Sequence, residues 1–193
     1  MSDTDIKNLI VESATMHFSK YGFHKTTMDE IAKHIHKAKG VLYYYFKNKE
    51  ELFNEVLKHE LGLIKEKLLK IVHSNNDASI VIKDYILTRF KLLNKAVNYH
   101  ETLKADFFEK YHFVKDVRVD FNNFERAQLF IIIEKGKNEG YINIKNINSI
   151  VDIAMMIMTS IEIPLFLQDK YDEYKSSMNE LVFMITNSLR SLK

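Results

Sequence analysis

The sequence predicts an all-α protein, and three observations lead there. Proline and glycine are scarce, one and five in 193 residues, so there are few places where a helix must stop. Apolar residues recur at three- and four-residue steps along most of the chain, the spacing that lines one face of a helix. No stretch alternates apolar and polar residues between turn signals, which is how a half-buried strand would read. About nine helices are expected, in a short N-terminal three-helix unit and a larger helical domain. A hydrophobic content of 46% over this length suffices for one or two domains with a sizeable core.

The N-terminal elements are the best defined. Thr27 and Glu30 stand three positions apart, a capping box in which hydroxyl and carboxylate each satisfy an orphan backbone N–H, so a helix begins near Met28. Met28, Ile31, Ala32 and Ile35 follow at helical spacing, and after a few polar residues Leu42, Tyr45 and Phe46 supply a second apolar face. Asn48 with Glu51 repeats the helix-start pattern, and behind it Leu52, Phe53, Val56, Leu57, Leu61, Ile64, Leu68 and Ile71 sustain one stripe for several turns. Two short helices, a tight turn and a long exit helix make a helix-turn-helix. Local charge points to DNA as its partner. Residues 31–49 hold Lys33, Lys37, Lys39, Lys47 and Lys49 with no Asp or Glu, and lysines that neutralise phosphates release condensed counterions. The whole chain is nearly balanced, at a net charge of +2, so the basic character is confined to this unit.

The runs TTMDEIA, KGVLYYYF and KNKEELF resemble the N-terminal domain of the TetR family of bacterial transcriptional regulators. The resemblance is strong over residues 5–60; beyond them only the helix layout and the segment IIEKGKNEGYI are similar. It implies a first helix over 6–21, a second over 28–35 and a recognition helix over 38–44 lying in the major groove. It also implies that Thr27, Tyr43 and Lys49 touch the phosphate backbone, and that Lys39, Gly40, Val41 and Tyr44 sit where bases are approached. Physical sense agrees: Gly40 lets the backbone come close to the duplex, Val41 can meet a thymine methyl, and Lys39 can donate to a guanine edge or to a phosphate. Where the family's turn usually carries a glycine, an apolar residue and often a serine, this chain has His36, Lys37 and Ala38. Ala38 has no side-chain oxygen to cap the recognition helix, a loss of roughly 1 kcal/mol against serine. Lys37 reads as an added phosphate contact, its stem on the domain and its ammonium in water.

The domain division expected is 1–47 for the helix-turn-helix domain, 48–73 for a connecting fourth helix, and 74–193 for a ligand-binding and dimerisation domain. Residues 74–79, SNNDAS, form the clearest linker. Ile82, Tyr85, Ile86, Phe90, Leu93 and Val97 mark a fifth helix, and Leu103, Phe107, Phe108 and Tyr111 a sixth. Residues 113–118 read as a poorly defined connection. Phe121, Phe124, Leu129, Ile132 and Ile133 mark a seventh helix that Gly140 can stop. An eighth spans 148–168, kinked at Pro164, and a ninth 172–192.

The last two helices suggest a homodimer. Residues 150–161 are apolar nearly all round, which a helix tolerates only when covered on most sides. Ile150, Ile157 and Ile161, with Tyr174, Met178, Leu181, Ile185 and Leu189 of the ninth helix, would pair with a second copy as a four-helix interface about a two-fold axis. A monomer with a thick core is the alternative. Two recognition helices would then read half-sites about 34–36 Å apart in a palindromic double-stranded DNA operator.

The family resemblance implies a small-molecule cavity in the second domain. Phe90, Phe107, Phe108, Tyr111, Phe124, Met155 and Met158 are the candidates to line it, walls that suit an apolar or aromatic effector. Glu162, the odd charge in an apolar run, can anchor a polar or cationic group of the effector, or else is a solvated or lysine-paired carboxylate. Taken singly, most of these aromatic and Met residues are expected to be core.

Catalysis, metals and cofactors are not expected. Cysteine is absent, so there are no disulfides or thiolate sites. Glu109 and His112 make a single Glu-x-x-His where a di-metal carboxylate bundle needs two, and no phosphate-binding loop or nucleophile-elbow motif occurs. MSDTDIKNLI does not read as a secretory leader, and the run 150–167 is broken by Asp152, Glu162 and Pro164, so a cytoplasmic protein without a membrane span is expected. The alternative function is a helical ligand-binding or protein-interaction module that binds DNA only non-specifically.

Overall fold

The computed structural model describes residues 3–190, apart from the side chains of Phe108 and of residues 188–190. Ten α-helices and one π-helical turn, with no strand, make up the described residues: α1 Asp3–Lys25, α2 Met28–His34, α3 Lys39–Tyr45, α4 Lys49–Val72, α5 Ala78–Leu93, α6 Val97–Glu101, α7 Ala105–Lys110, α8 His112–Asn138, α9 Ile147–Ser160, the π turn Ile163–Leu167 and α10 Tyr171–Arg190. The expected sixth helix is the short α7, and Val97, expected to close the fifth, opens a separate short helix, α6, which raises the count from about nine to ten. Between them the Thr102 hydroxyl donates to the Tyr99 carbonyl at 2.6 Å. Residues 113–118, expected to be a loose connection, are the first turns of α8. Val114 and Val117 are buried there, continuing at helical steps the stripe that begins in the sequence at Phe121. Gly140 ends α8 as expected: it holds φ +78°, and the Tyr141 and Ile142 amides donate back to the Gly136 carbonyl at 2.9 and 3.2 Å, a glycine-stopped helix end.

Two compact units result. The first comprises residues 1–62 and 96–117, the second residues 63–95 and 118–193. This division by packing differs from the one drawn along the sequence, because α6, α7 and the start of α8 join the N-terminal helices. The cause is an aromatic core. Phe23 of α1 stacks near Phe53 of α4 (5.0 Å), Phe107 of α7 (5.2 Å) and Tyr111 (5.0 Å), and Phe18 meets Phe53 edge-on at 4.9 Å. Such pairs add about 0.5–1.5 kcal/mol each beyond their area burial. A polar lock adds direction: Asn98 of α6 donates to the Ser19 hydroxyl at 2.9 Å and the Thr15 carbonyl at 3.3 Å, and the Tyr99 amide donates to Glu60 of α4 at 2.9 Å.

In the second unit α5 packs on α10, and the core runs through Val81, Tyr85, Phe90, Phe121, Val151, Met158 and Val182. Its interior holds a charged triad, fully buried. Arg89 of α5 donates through Nε and Nη2 to Glu125 of α8 at 2.5 and 2.8 Å, and through Nη2 to Glu162 at 2.5 Å. Burial pushes the Glu125 carboxyl up, and the Arg89 guanidinium pulls it back. Removing one member of such a group strands the remaining charge in a medium that solvates it poorly, so the triad ties α5 and α8 to the segment just after α9.

Glu60 gives a pH test. Burial pushes its carboxyl up to about 7, against which the Tyr99 and Asn98 backbone bonds pull down. A folded value above the unfolded one means no penalty below about pH 4.5, a penalty that grows as pH rises through 7, and the full cost above. Glu60→Gln keeps an acceptor for Tyr99 and cannot ionise. Its stability relative to the parent chain should rise between pH 5 and 8 by about 2–3 kcal/mol in denaturant melts; a flat difference would refute the assignment.

Candidate nucleic-acid interface

The reading head is assembled by local rules. At the start of α2 the Glu30 amide donates to the Thr27 hydroxyl at 3.3 Å and the Thr27 amide donates to the Glu30 carboxylate at 2.9 Å, the capping box seen in the sequence. The Thr27 hydroxyl gives its own hydrogen to the same carboxylate at 2.8 Å, which holds the Glu30 carboxyl below its usual range. The chain then reverses at His36, whose φ of 53° is left-handed. Glycine takes that conformation freely, whereas a side chain costs about 1–2 kcal/mol. Ala38 caps α3 without a side-chain hydrogen bond, as its lack of an oxygen requires. Asn48 and Glu51 open α4: the Glu51 amide donates to Asn48 Oδ1 at 2.8 Å and the Lys47 amide to Glu51 at 2.7 Å.

α3 is pinned from beneath and open above. Leu42 and Phe46 are buried in the first unit, and the Tyr45 hydroxyl donates to Asp3 at 2.5 Å. The other side faces solvent. A Cβ on Gly40 would meet nothing within 4 Å, Tyr43 and Tyr44 are 43% and 76% exposed, and Val41 is half-buried. Large aromatic rings left in water beside bare backbone have no packing purpose inside this unit. A seven-residue helix of this width fits the major groove.

The lysines divide into three kinds. Lys33 and Lys47 are exposed and Lys37 half-buried, the last compatible with its stem lying on the domain. Lys39 forms an ion pair with Asp29 at 2.7 Å and lies over the Tyr43 ring at 5.6 Å. Lys49, matched by resemblance to a phosphate contact, is turned inward. Its ammonium donates to the carbonyls of Phe23 at 2.8 Å, Thr26 at 3.1 Å and His24 at 3.3 Å, and rests 4.5 Å over the Phe23 ring. An ammonium has three hydrogens, and all three are engaged here, so Lys49 caps carbonyls at and just beyond the end of α1. Burial lowers its pKa. Nothing in the local sequence reveals this, because the carbonyls lie 23 to 26 residues away.

The residues singled out for an effector are not brought together. Phe107 and Tyr111 belong to the aromatic core of the first unit, Phe108 falls outside the described side chains, and Phe124 and Met155 are half-buried in the second unit. Phe90 and Met158 meet at a wholly apolar cleft of about 210 Å³, bounded by α5, α9 and α10. Glu162 is 0% exposed and held by Arg89, so it is neither solvated nor lysine-paired but a member of the buried triad. Of the residues proposed for the dimer, Ile150, Ile157, Tyr174, Leu181 and Ile185 are exposed, Ile161 and Met178 half-buried, and Leu189 lies outside the described side chains. Ile153, Met156 and Met184 extend the exposed apolar area; helical spacing from Ile150 and Leu181 would have found them.

Comparison with known proteins matches residues 10–56 to the model of bacterial regulatory proteins, tetR family. The HTH-type transcriptional regulator YhgD of Bacillus subtilis is 48% identical over 63 residues, a third of this chain and a third of that protein. QacR, an HTH-type transcriptional regulator of Staphylococcus aureus, is 28% identical over 155 residues, covering 78% of this chain and 80% of its own. The crystal structure of a transcriptional regulator from Cytophaga hutchinsonii superposes with a TM-score of 0.79 at 26% identity, over 93% of this chain and 96% of that one.

Lys49→Met should therefore destabilise the chain by about 1–3 kcal/mol, the worth of hydrogen bonds from a charged donor, in thermal or denaturant unfolding. The salt dependence of DNA binding should not change. A stable variant whose log–log salt slope falls by about 0.9 would return Lys49 to the phosphates.

Proposed function

We propose that this chain, which belongs to the tetR family of bacterial regulatory proteins, is a cytoplasmic repressor that occupies a palindromic operator as a two-fold dimer and is released by a small, largely apolar or aromatic effector. The observation that carries the DNA reading is the solvent face of α3, where Gly40, Tyr43 and Tyr44 stand open above the buried anchors Leu42 and Phe46. On this reading Gly40, Val41 and Tyr44 meet the base edges, Tyr43, Lys37 and Lys47 the phosphates, and Thr27 the backbone once its hydrogen leaves Glu30.

The dimer is supported by exposed apolar residues on α9 and α10. Leu181, Ile157 and Ile185 are each about half in water, where a second copy would shelter them. That same need accounts for residues 147–167, a run of spanning length and hydropathy: Asp152 is exposed on it and Glu162 is tied to Arg89, which suits a protein interface better than lipid. The cleft at Phe90 and Met158 is the best seat for an apolar effector. Its walls include Ile157, Leu181 and Ile185, so an occupant there would act on the dimer face directly. α4 runs unbroken from Lys49 to Val72 and gives a mechanical route from the second unit to the head. A ligand favouring the wrongly spaced dimer lowers DNA affinity by the factor by which DNA lowers its own, and a coupling of ~3 kcal/mol is over a hundredfold.

A gel shift tests this, using DNA from upstream of the protein's own gene against unlabelled random competitor. Specific retardation is expected, with a dimer in sedimentation at micromolar concentration. Leu181→Asp should yield a folded monomer whose operator affinity drops at least tenfold. Uniform weak retardation, or a parent chain that sediments as a monomer, would overturn the proposal.

A further inference from the structure

The basic reading surface contains a carboxylate, Asp29, that the run 31–49 conceals and that pairs with one of its lysines. Asp29 lies in the first turn of α2, and the fold brings it to the N-terminus of α3, where it holds the Lys39 ammonium at 2.7 Å. Both side chains are about half exposed. Lys39 is also drawn over the ring of Tyr43, one helical turn along its own helix. The ammonium is thus laid along the open face of α3 that carries Gly40, Tyr43 and Tyr44.

The chemistry of this pair differs from that of a bare lysine. An unpaired ammonium at a DNA interface goes to the strongest acceptor within reach, a phosphate, and contributes no sequence information. Beside Asp29 the unit is close to neutral, and a phosphate that approaches the ammonium also approaches a carboxylate of its own sign. A guanine edge presents the neutral acceptors N7 and O6 and meets no such repulsion. The ammonium has three hydrogens, enough to keep Asp29 and still donate to a base. An exposed ion pair adds little to folding, and an acidic group in a DNA interface weakens binding to every sequence. Its place is accounted for if it sorts bases from phosphates.

We propose that Asp29 is a positioning residue for sequence recognition: it holds Lys39 along the face of α3 and reserves that ammonium for a neutral base edge. The inference rests on the DNA-reading role of α3 proposed above.

The test selects duplexes from a randomised pool with the parent chain, Asp29→Asn, Asp29→Glu and Lys39→Ala. Salt titrations on the selected duplex and a scrambled one accompany it. Asp29→Asn should bind scrambled DNA more tightly, steepen its salt slope by about 0.9 as Lys39 turns to a phosphate, and lower the selected-to-scrambled ratio about tenfold. The base pairs at which it loses preference should be those that Lys39→Ala loses, and Asp29→Glu should recover them. If Asp29→Asn selects the parent motif with the parent ratio, or tightens binding to all DNA without relaxing the Lys39 positions, Asp29 is a general electrostatic brake and the proposal fails. A parent chain that selects no motif would show instead that α3 does not read sequence, overturning both claims at their common root.

Discussion

Phe23 is the contact on which the head depends. It lies just beyond Gly22, where the backbone of α1 leaves helical geometry at φ 78°, and its ring meets Phe18, Phe53, Phe107 and Tyr111. Three segments far apart in sequence are fixed to one another through a single side chain. Lys49 closes the same place from above, its ammonium on the Phe23 ring and on the carbonyls of α1. The direction of α4 is set there, and with it the frame on which α2 and α3 sit. Were this corner loose, the open face of α3 would have no fixed orientation to offer a groove.

Charge follows packing. Five lysines with no acid between residues 31 and 49 look like a uniform cationic surface when written on a line. Folded, Lys49 is an internal cap and Lys39 is half of an ion pair, which leaves Lys33, Lys37 and Lys47, of those five, without such an engagement among the described residues. A surface with fewer bare cations grips random DNA less strongly, and specificity is the difference between two affinities. The second unit uses charge in the opposite way. Its Arg89–Glu125–Glu162 triad is sealed from water and acts as a geometric tie across α5, α8 and the end of α9.

Legibility in the sequence tracked the range of the interaction. The capping box at Thr27, the side-chain cap at Asn48, the uncapped start of α3 at Ala38 and the stop at Gly140 all depend on residues within a few positions of one another, and they are legible. So was the all-helical class, which needs only periodicity. What was hidden came from distant partners. Glu162 finds Arg89 across 73 residues and Lys49 finds Phe23 across 26. Phe107 and Tyr111 have the same apolar spacing whichever unit they join, so periodicity could not tell core of the head from lining of a cavity.

On the reading proposed above, the solvent face of α3, presented twice by a two-fold dimer, enters the major groove of the operator. Hydroxyl-radical footprinting on the DNA upstream of the protein's own gene measures this most directly. The account predicts two protected segments related by two-fold symmetry, their centres one helical turn or a whole multiple apart, about 34–36 Å per turn, and no such pattern with Gly40→Val. Protection spread evenly along the fragment, or a footprint indifferent to that substitution, would contradict it.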